Sequence, residues 1–207
     1  MSISSKLQVG QQAIARVDNG PILPGSDVGS DLSSLGGKFQ VEHFRKGVRI
    51  GSYSFKNDIT NEGKNILLDV MFHGVAIYGT WYLGLIDLVG YSALAAGDTY
   101  DNIDQAGNGW DEFADYKIVA DTTIRGEWTE GAASAQAITN ASVVTFIMTG
   151  GGDVKGVFLC AGEHAETKSN HDAGTTPVNK LWATALFAAD VPVVLDDQLK
   201  VTYTISA

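Results

Sequence analysis

Cys160, His164 and His171 fall within a dozen residues of one another, with Glu163 and Asp172 close by. Thiolate and imidazole are ligands that zinc takes in a closed tetrahedron. The spacing matches none of the usual zinc fingers, however, and no fourth ligand is evident. Cys160 also ends the apolar run GVFLC. A free cysteine in that position packs as a small hydrophobe, so the expectation is a buried, unreactive thiol followed by a polar surface loop, with no metal bound. A second stretch, DTYDNIDQAGNGWDEF, has the acidity of a calcium loop. A loop of the EF-hand kind needs oxygen ligands at alternate positions, glycine at the sixth and glutamate at the twelfth. Counted from Asp101, the third position is Ile103; counted from Asn102, Ala106 and Phe113 fall at the fifth and twelfth. Both registers fail, which leaves a solvated acidic loop.

Catalytic patterns are missing. No phosphate loop, dinucleotide glycine signature, nucleophile elbow or paired-histidine helix occurs. Glu42 and His43 are adjacent in an alternating strand and so point to opposite faces, which makes them a poor dyad. Carboxylates abound in an acidic chain, and sequence does not single out a glycosidase pair among them. Trp81, Trp110, Trp128 and Trp182 could line a sugar groove, but three of them sit in strand patterns, where core packing is the expectation. The reading is therefore of a non-enzyme with no catalytic residue and no cofactor.

Composition narrows the partners. The 207 residues carry a net charge of −10, which repels phosphate backbones and anionic membrane surfaces alike. Arg45, Lys46 and Arg49 make one turn basic and no more, so neither nucleic acid nor membrane is expected as a partner. The most apolar stretch, GVAIYGTWYLGLIDLVG, is short for a bilayer and contains Asp87. A single cysteine excludes an internal disulfide framework. No basic stretch followed by an apolar run opens the chain, so synthesis in a cytoplasm is expected, and the sequon at Asn140 carries no weight.

The elements follow from periodicity. Residues 1–36 hold GPILPGSDVGSDLSSLG and read as an extended arm, with Leu7, Val9, Ile14, Val17, Ile22, Leu23, Leu32 and Leu35 spaced along it as candidate docking residues. From residue 37 to 207 the pattern is that of one β domain. In KFQVEH, Phe39, Val41 and His43 share one face; Arg45-Lys46-Gly47 is a hairpin turn, and VRIGSYSF is the return strand. Ile66, Leu67, Val70 and Met71 fall at helical spacing, with Thr60 or Asn61 as cap and Gly74 as stop, which predicts one helix over 61–72. AIYGTWYLGLI is apolar on both faces, as a central strand would be. TIRGEWT places Ile124 and Trp128 on one side and Arg125 and Glu127 on the other. SVVTFIMT, VKGVFLCAG and LWATALF follow, and in the last strand, QLKVTYTIS, Leu199, Val201, Tyr203 and Ile205 face the core. Eight or nine short strands and one helix predict an all-β fold, an antiparallel, jelly-roll-like β-sandwich with one short α-helix and an extended N-terminal arm. Strand order along the chain does not separate a jelly roll from an immunoglobulin-like sandwich, though one cysteine cannot supply the immunoglobulin disulfide.

The strings GKFQVEHFRKGVRIGSYSFKNDITNEGKNILLDVMF, TWYLGLID, GWDEFADY, RGEW, LWATALF and DDQLKVTYTIS resemble a family of small virion proteins of tailed bacteriophages, over Gly37 to the end. The likeness lies in packing residues and turns. It implies a structural protein made in the host cytoplasm and carried on the virion, as a capsid auxiliary, decoration or cement protein. Its implied partners are the major capsid protein and other copies of itself. A tail, collar or fibre-associated virion protein, and a host-glycan-binding module, are the alternatives. Attachment would run through the arm, or else through loops such as residues 163–180.

Overall fold

The computed structural model describes residues 35–103, 109–162, 164–168 and 179–207. The arm residues Leu7, Val9, Ile14, Val17, Ile22 and Leu23 lie outside the described residues, as do Glu163, His171 and Asp172.

Strand β1 (Gly36–Arg45) alternates as its sequence requires: Phe39, Val41 and His43 are buried while Lys38, Gln40 and Glu42 are not. Lys46 and Gly47, both at positive φ (51° and 78°), turn the chain into β2 (Val48–Ile59). Positive φ at both central residues matches the twist of a tight hairpin. Helix α1 (Asn61–Phe72) then starts at Thr60, whose Oγ1 accepts from the Gly63 amide at 2.9 Å and donates to the Leu181 carbonyl at 2.6 Å. The Glu62 carboxylate, in the first turn, accepts from the amides of Tyr100 and Leu181 and from Lys180 Nζ. Gly63 lets that turn press on the strand that holds Trp182, since a Cβ there would stand 2.4 Å from the Trp182 carbonyl oxygen. The helix is thus fastened at its N-terminal end, and only Gly63 and Ile66 are buried.

The remaining strands are β3 (Trp81–Asp87), β4 (Tyr116–Ile118), β5 (Gly126–Glu127), β6 (Ala137–Thr139), β7 (Val144–Met148), β8 (Gly152–Ala161), β9 (Lys180–Val193) and β10 (Gln198–Ser206). All pairs are antiparallel, in the order β4-β7-β10-β1-β2-β9-β8-β3-β5, with β6 also on β10. The two layers, β4-β7-β10-β1-β2 and β9-β8-β3-β5, join by a ladder where Asp58 and Ile59 pair with Thr184 and Ala183, and by a bridge between Glu130, after β5, and Asn140, after β6. Gly126 closes the opposite side by packing on Val144 and Phe146 of β7. The result is a nearly closed antiparallel sandwich with one α-helix. Phe39, Val41, Leu83, Leu85, Phe146, Val157, Leu159, Leu199, Val201 and Tyr203 fill it.

A second apolar cluster lies on the outer face of β3, β8 and β9. Ile86, Phe158, Cys160 and Leu181 meet Tyr100, Ile103, Trp110 and Ala165 from the covering loops. This explains why β3 and β8 are apolar on both faces. Three expectations need adjusting. The strand in AIYGTWYLGLI begins only at Trp81, and Ile77 is 77% exposed. In TIRGEWT only Gly126 and Glu127 pair as a strand. Ile205, near the end of β10 and paired on both sides, packs against the core but is only half-buried, whereas Leu199, Val201 and Tyr203 are fully buried.

Candidate functional site

The densest chemistry lies beneath the loops that cover the outer face of β3 and β8. Arg125, just before β5, meets Glu112 through two parallel bonds, Nε to Oε1 at 2.9 Å and Nη2 to Oε2 at 2.7 Å. Its Nη1 donates to the Tyr100 hydroxyl at 2.7 Å and to the Ala165 carbonyl at 2.9 Å. The guanidinium lies over the rings of Phe158 and Tyr100, at 5.3 and 5.5 Å. Tyr116 donates its hydroxyl to Glu112 Oε1 at 3.1 Å; burial pushes that phenol well above its ordinary pKa, so the proton stays in place. Lys168 Nζ donates to the carbonyls of Ala114 and Tyr116, both at 2.6 Å. Burial opposes the charge on Arg125, while Glu112 above all, with Cys160 and Tyr100, favours it, and the guanidinium is held well above its ordinary value.

Both side chains of the Arg125–Glu112 pair are wholly inaccessible. No reactant can reach them, and the pair's geometry ties residues 100–103, 109–116 and 164–168 to the sheet. The alternation of TIRGEWT holds here, because Arg125 is on the face opposite Trp128. That face is covered by loops rather than by water. Cys160 sits in the same cluster, buried, with Sγ 4.0 Å from Arg125 Nη1. Burial pushes its thiol up to about 12, so the thiolate needed for attack or metal binding is suppressed. His164 anchors its loop through its backbone amide, which donates to Asn179 Oδ1. Among the described residues, no group of three or more His, Cys, Asp and Glu side chains is placed to hold a metal ion.

A second cluster fastens the β1–β2 hairpin to the turn before β10. His43, on the core face as its alternation requires, donates Nε2 to Asp197 Oδ2 at 2.9 Å. Arg45 grips the same carboxylate with Nε to Oδ1 at 2.9 Å and Nη2 to Oδ2 at 2.7 Å, and the Val194 amide adds a bond at 3.0 Å. Hydrogen bonds from Arg45, then from His43, hold the Asp197 carboxyl well below the usual carboxylate range. An imidazole oriented by a carboxylate is one half of an acid–base device. The adjoining recess of about 270 Å³, lined by Phe44, Lys46, Val194, Leu195 and Gln198 among others, brings no hydroxyl or thiol to the ring. Asp197 is moreover committed to Arg45 through both oxygens. Glu42, on the opposite face, pairs with Arg49 at 2.6 Å and takes no part.

Of the four tryptophans, Trp110, Trp128 and Trp182 are buried, and Trp81 is half-buried with its ring edge-on to Trp182 at 5.7 Å. They pack the interior instead of forming a platform. What the molecule does present is apolar surface on α1. Ile66 alone of the helically spaced Ile66, Leu67, Val70 and Met71 is buried. Leu67, Leu68, Met71 and Phe72 are exposed, and the ridge continues through Val75 and Ile77. Phe72 is 83% exposed. Together these six side chains make up the apolar surface of α1 and of the segment after it, and the largest apolar patch on a monomer is often functional.

Comparison with family models, with characterised proteins and with solved structures gives no match. The likeness to phage virion proteins therefore rests on the quoted strings. No helix among the described residues is long and apolar enough to cross a membrane.

Proposed function

We propose that this chain is a non-enzymatic structural protein of a bacteriophage virion, which decorates or cements the capsid surface through protein–protein contacts. The observation that supports contact as its mode of action is the α1 ridge. Such a ridge supplies the apolar centre of a contact to which each partner contributes ~800 Å² in a standard interface. The occupant we assign to it is the outer face of the major capsid protein. The sandwich behind the ridge suits that work. Thr60 and Glu62 fasten the first turn of α1 to it, so part of the freedom that binding costs is already given up. Copies repeated by the symmetry of a shell then convert a modest affinity per site into stable coverage. The virion part of the reading draws on the sequence resemblance.

The test is binding of the purified full-length protein to capsids that lack it, with a reconstruction of the decorated particle. Density on the shell with α1 at the contact is the expected result. Met71→Lys with Phe72→Glu, changes on a solvent-facing surface, should leave the melting temperature near that of the parent and weaken binding at least tenfold. Density confined to the tail or collar, or no binding at all, would reject the capsid reading. Unchanged binding by the double variant would reject the ridge.

A further inference from the structure

A cleft of about 380 Å³ runs along α1 and the segment that follows it, within the ~300–1,000 Å³ of small-ligand pockets. Helical spacing builds one wall. Asn61, Asn65 and Asp69 recur every four residues, so they form a line along the helix, and all three are exposed. Glu62, Ile66 and Val70 form the next line, set deeper: Ile66 is buried, and Glu62 and Val70 are half-buried. Leu67 and Met71 belong to the other side of the helix. Val75 and Tyr78 line the cleft from beyond the helix, and Gly97, Thr99 and Lys180 close it beside the first turn.

Part of this lining is fixed. Glu62 accepts from Lys180 Nζ at 3.0 Å and from the amides of Tyr100 and Leu181. The Thr99 hydroxyl donates to Asn102 Oδ1 at 3.1 Å. Tyr78 is half-buried, its ring edge-on to Trp81 at 6.2 Å, and Trp81 meets Trp182 in turn, so the ring is braced against the core. Burial raises the pKa of its phenol; Lys180 works against that shift, and Glu62 and Asp69 add to it. The hydroxyl therefore keeps its proton and can donate. Other groups are uncommitted. Among the described residues, the side-chain amides of Asn61 and Asn65 have no hydrogen-bond partner. Asp69 gives Oδ1 to His73 at 3.3 Å and has Oδ2 left over.

An amide both donates and accepts, a carboxylate accepts, and a phenol donates. Together they complement hydroxyl groups, which do both. Ile66, Val70, Val75 and the Tyr78 ring complement C–H faces. A molecule with hydroxyls around its rim and C–H groups on its faces is a sugar ring. Charge narrows the class further. Lys180, the cation in the lining, is committed to Glu62, so Asp69 and a body charge of −10 act against phosphate or carboxylate ligands. We propose that this cleft binds a neutral mono- or disaccharide, with Tyr78 and the apolar side chains against its C–H faces and Asn61, Asn65 and Asp69 on its hydroxyls. Leu67 and Met71 lie across the helix, so the sugar site stands apart from the capsid reading.

Isothermal titration of the full-length protein tests this, with glucose, maltose, cellobiose, lactose and N,N′-diacetylchitobiose as neutral probes and glucose 6-phosphate as the charged one. Saturable binding of at least one neutral sugar is expected, with glucose 6-phosphate at least tenfold weaker than the best of them. No saturable binding by any neutral sugar would overturn the proposal, and so would glucose 6-phosphate binding as tightly as the best. Tyr78→Ala should weaken the bound sugar at least tenfold and Asn65→Ala about fivefold, whereas Tyr78→Phe, which keeps the ring, should lose less than Tyr78→Ala. Asn65 is exposed, so its variant tests the site even where loss of the Tyr78 ring loosens the fold, and melting temperatures show which variants stay folded. Parental affinity in the folded Asn65→Ala and Tyr78→Phe variants would place the sugar elsewhere and overturn the assignment.

Discussion

Replacing Arg125 by methionine keeps the apolar stem over Phe158 and removes the charged fork. Four hydrogen bonds disappear: two to Glu112 at 2.9 and 2.7 Å, one to Tyr100 at 2.7 Å and one to Ala165 at 2.9 Å. What decides the magnitude is the carboxylate left behind. Glu112 is wholly inaccessible, and in the variant it keeps the Tyr116 hydroxyl and the attraction of the Lys168 ammonium but loses its paired guanidinium. Breaking a buried pair from one side typically costs ~3–5 kcal/mol, whereas removing both charges is far better tolerated. Arg125→Met should therefore lower stability by about 3–5 kcal/mol, a melting shift of about 6–20 °C at ~2–4 °C per kcal/mol for a domain of this size. Arg125→Met with Glu112→Gln keeps an acceptor for Tyr116 without a buried charge that has lost its guanidinium, and it should recover about 2 kcal/mol of that loss. The assay is urea unfolding followed by tryptophan fluorescence, which Trp110 reports from within the same cluster. A single variant within about 1 kcal/mol of the parent, or a double variant whose loss equals the sum of the singles, would refute the view that this ion pair fastens the outer loops to the sheet.

Three further outcomes are expected. Because the Asp197 carboxyl is held below its ordinary range in the folded state, its stabilising effect is complete above the unfolded value of about 3.9 and is lost as pH falls below it. The urea midpoint of the parent should drop between pH 5 and pH 3, and Arg45→Met should be less stable at pH 7 with a shallower drop over that interval. Thr60→Ala removes the cap on Gly63 and the bond to Leu181; a loss of about 1–2 kcal/mol is expected, read as a lower urea midpoint at unchanged slope, and a midpoint within error of the parent would contradict it. Native Cys160 should resist a thiol reagent at pH 8 and react promptly in denaturant, since its thiol is buried and raised to about 12; prompt labelling of the native protein would show that the covering loops open.

Local pattern went a long way in this chain. Alternation placed Phe39, Val41 and His43 on the core face of β1, and Leu199, Val201 and Tyr203 on that of β10. Helical spacing, a capping threonine and a stopping glycine marked α1 from Asn61 to Phe72, and Lys46-Gly47 marked the hairpin. These depend on neighbours a few residues away, through backbone geometry and the period of side chains. The candidate site was another matter. That Arg125 stands opposite Trp128 could be read from TIRGEWT, but whether loops or water cover that face could not. The carboxylate that answers Arg125 comes from Glu112, in a loop that reads as solvated acid. His43 on an inward face signals a missing partner, yet that partner is Asp197, 154 residues later. Conversely, the spacing of Leu67 and Met71 on α1 suggests a buried side, and the structure exposes them because the helix is fastened only through its first turn. A residue's face is set by its own strand or helix. What covers that face is set by segments distant in sequence, and so only the assembled tertiary structure decides it.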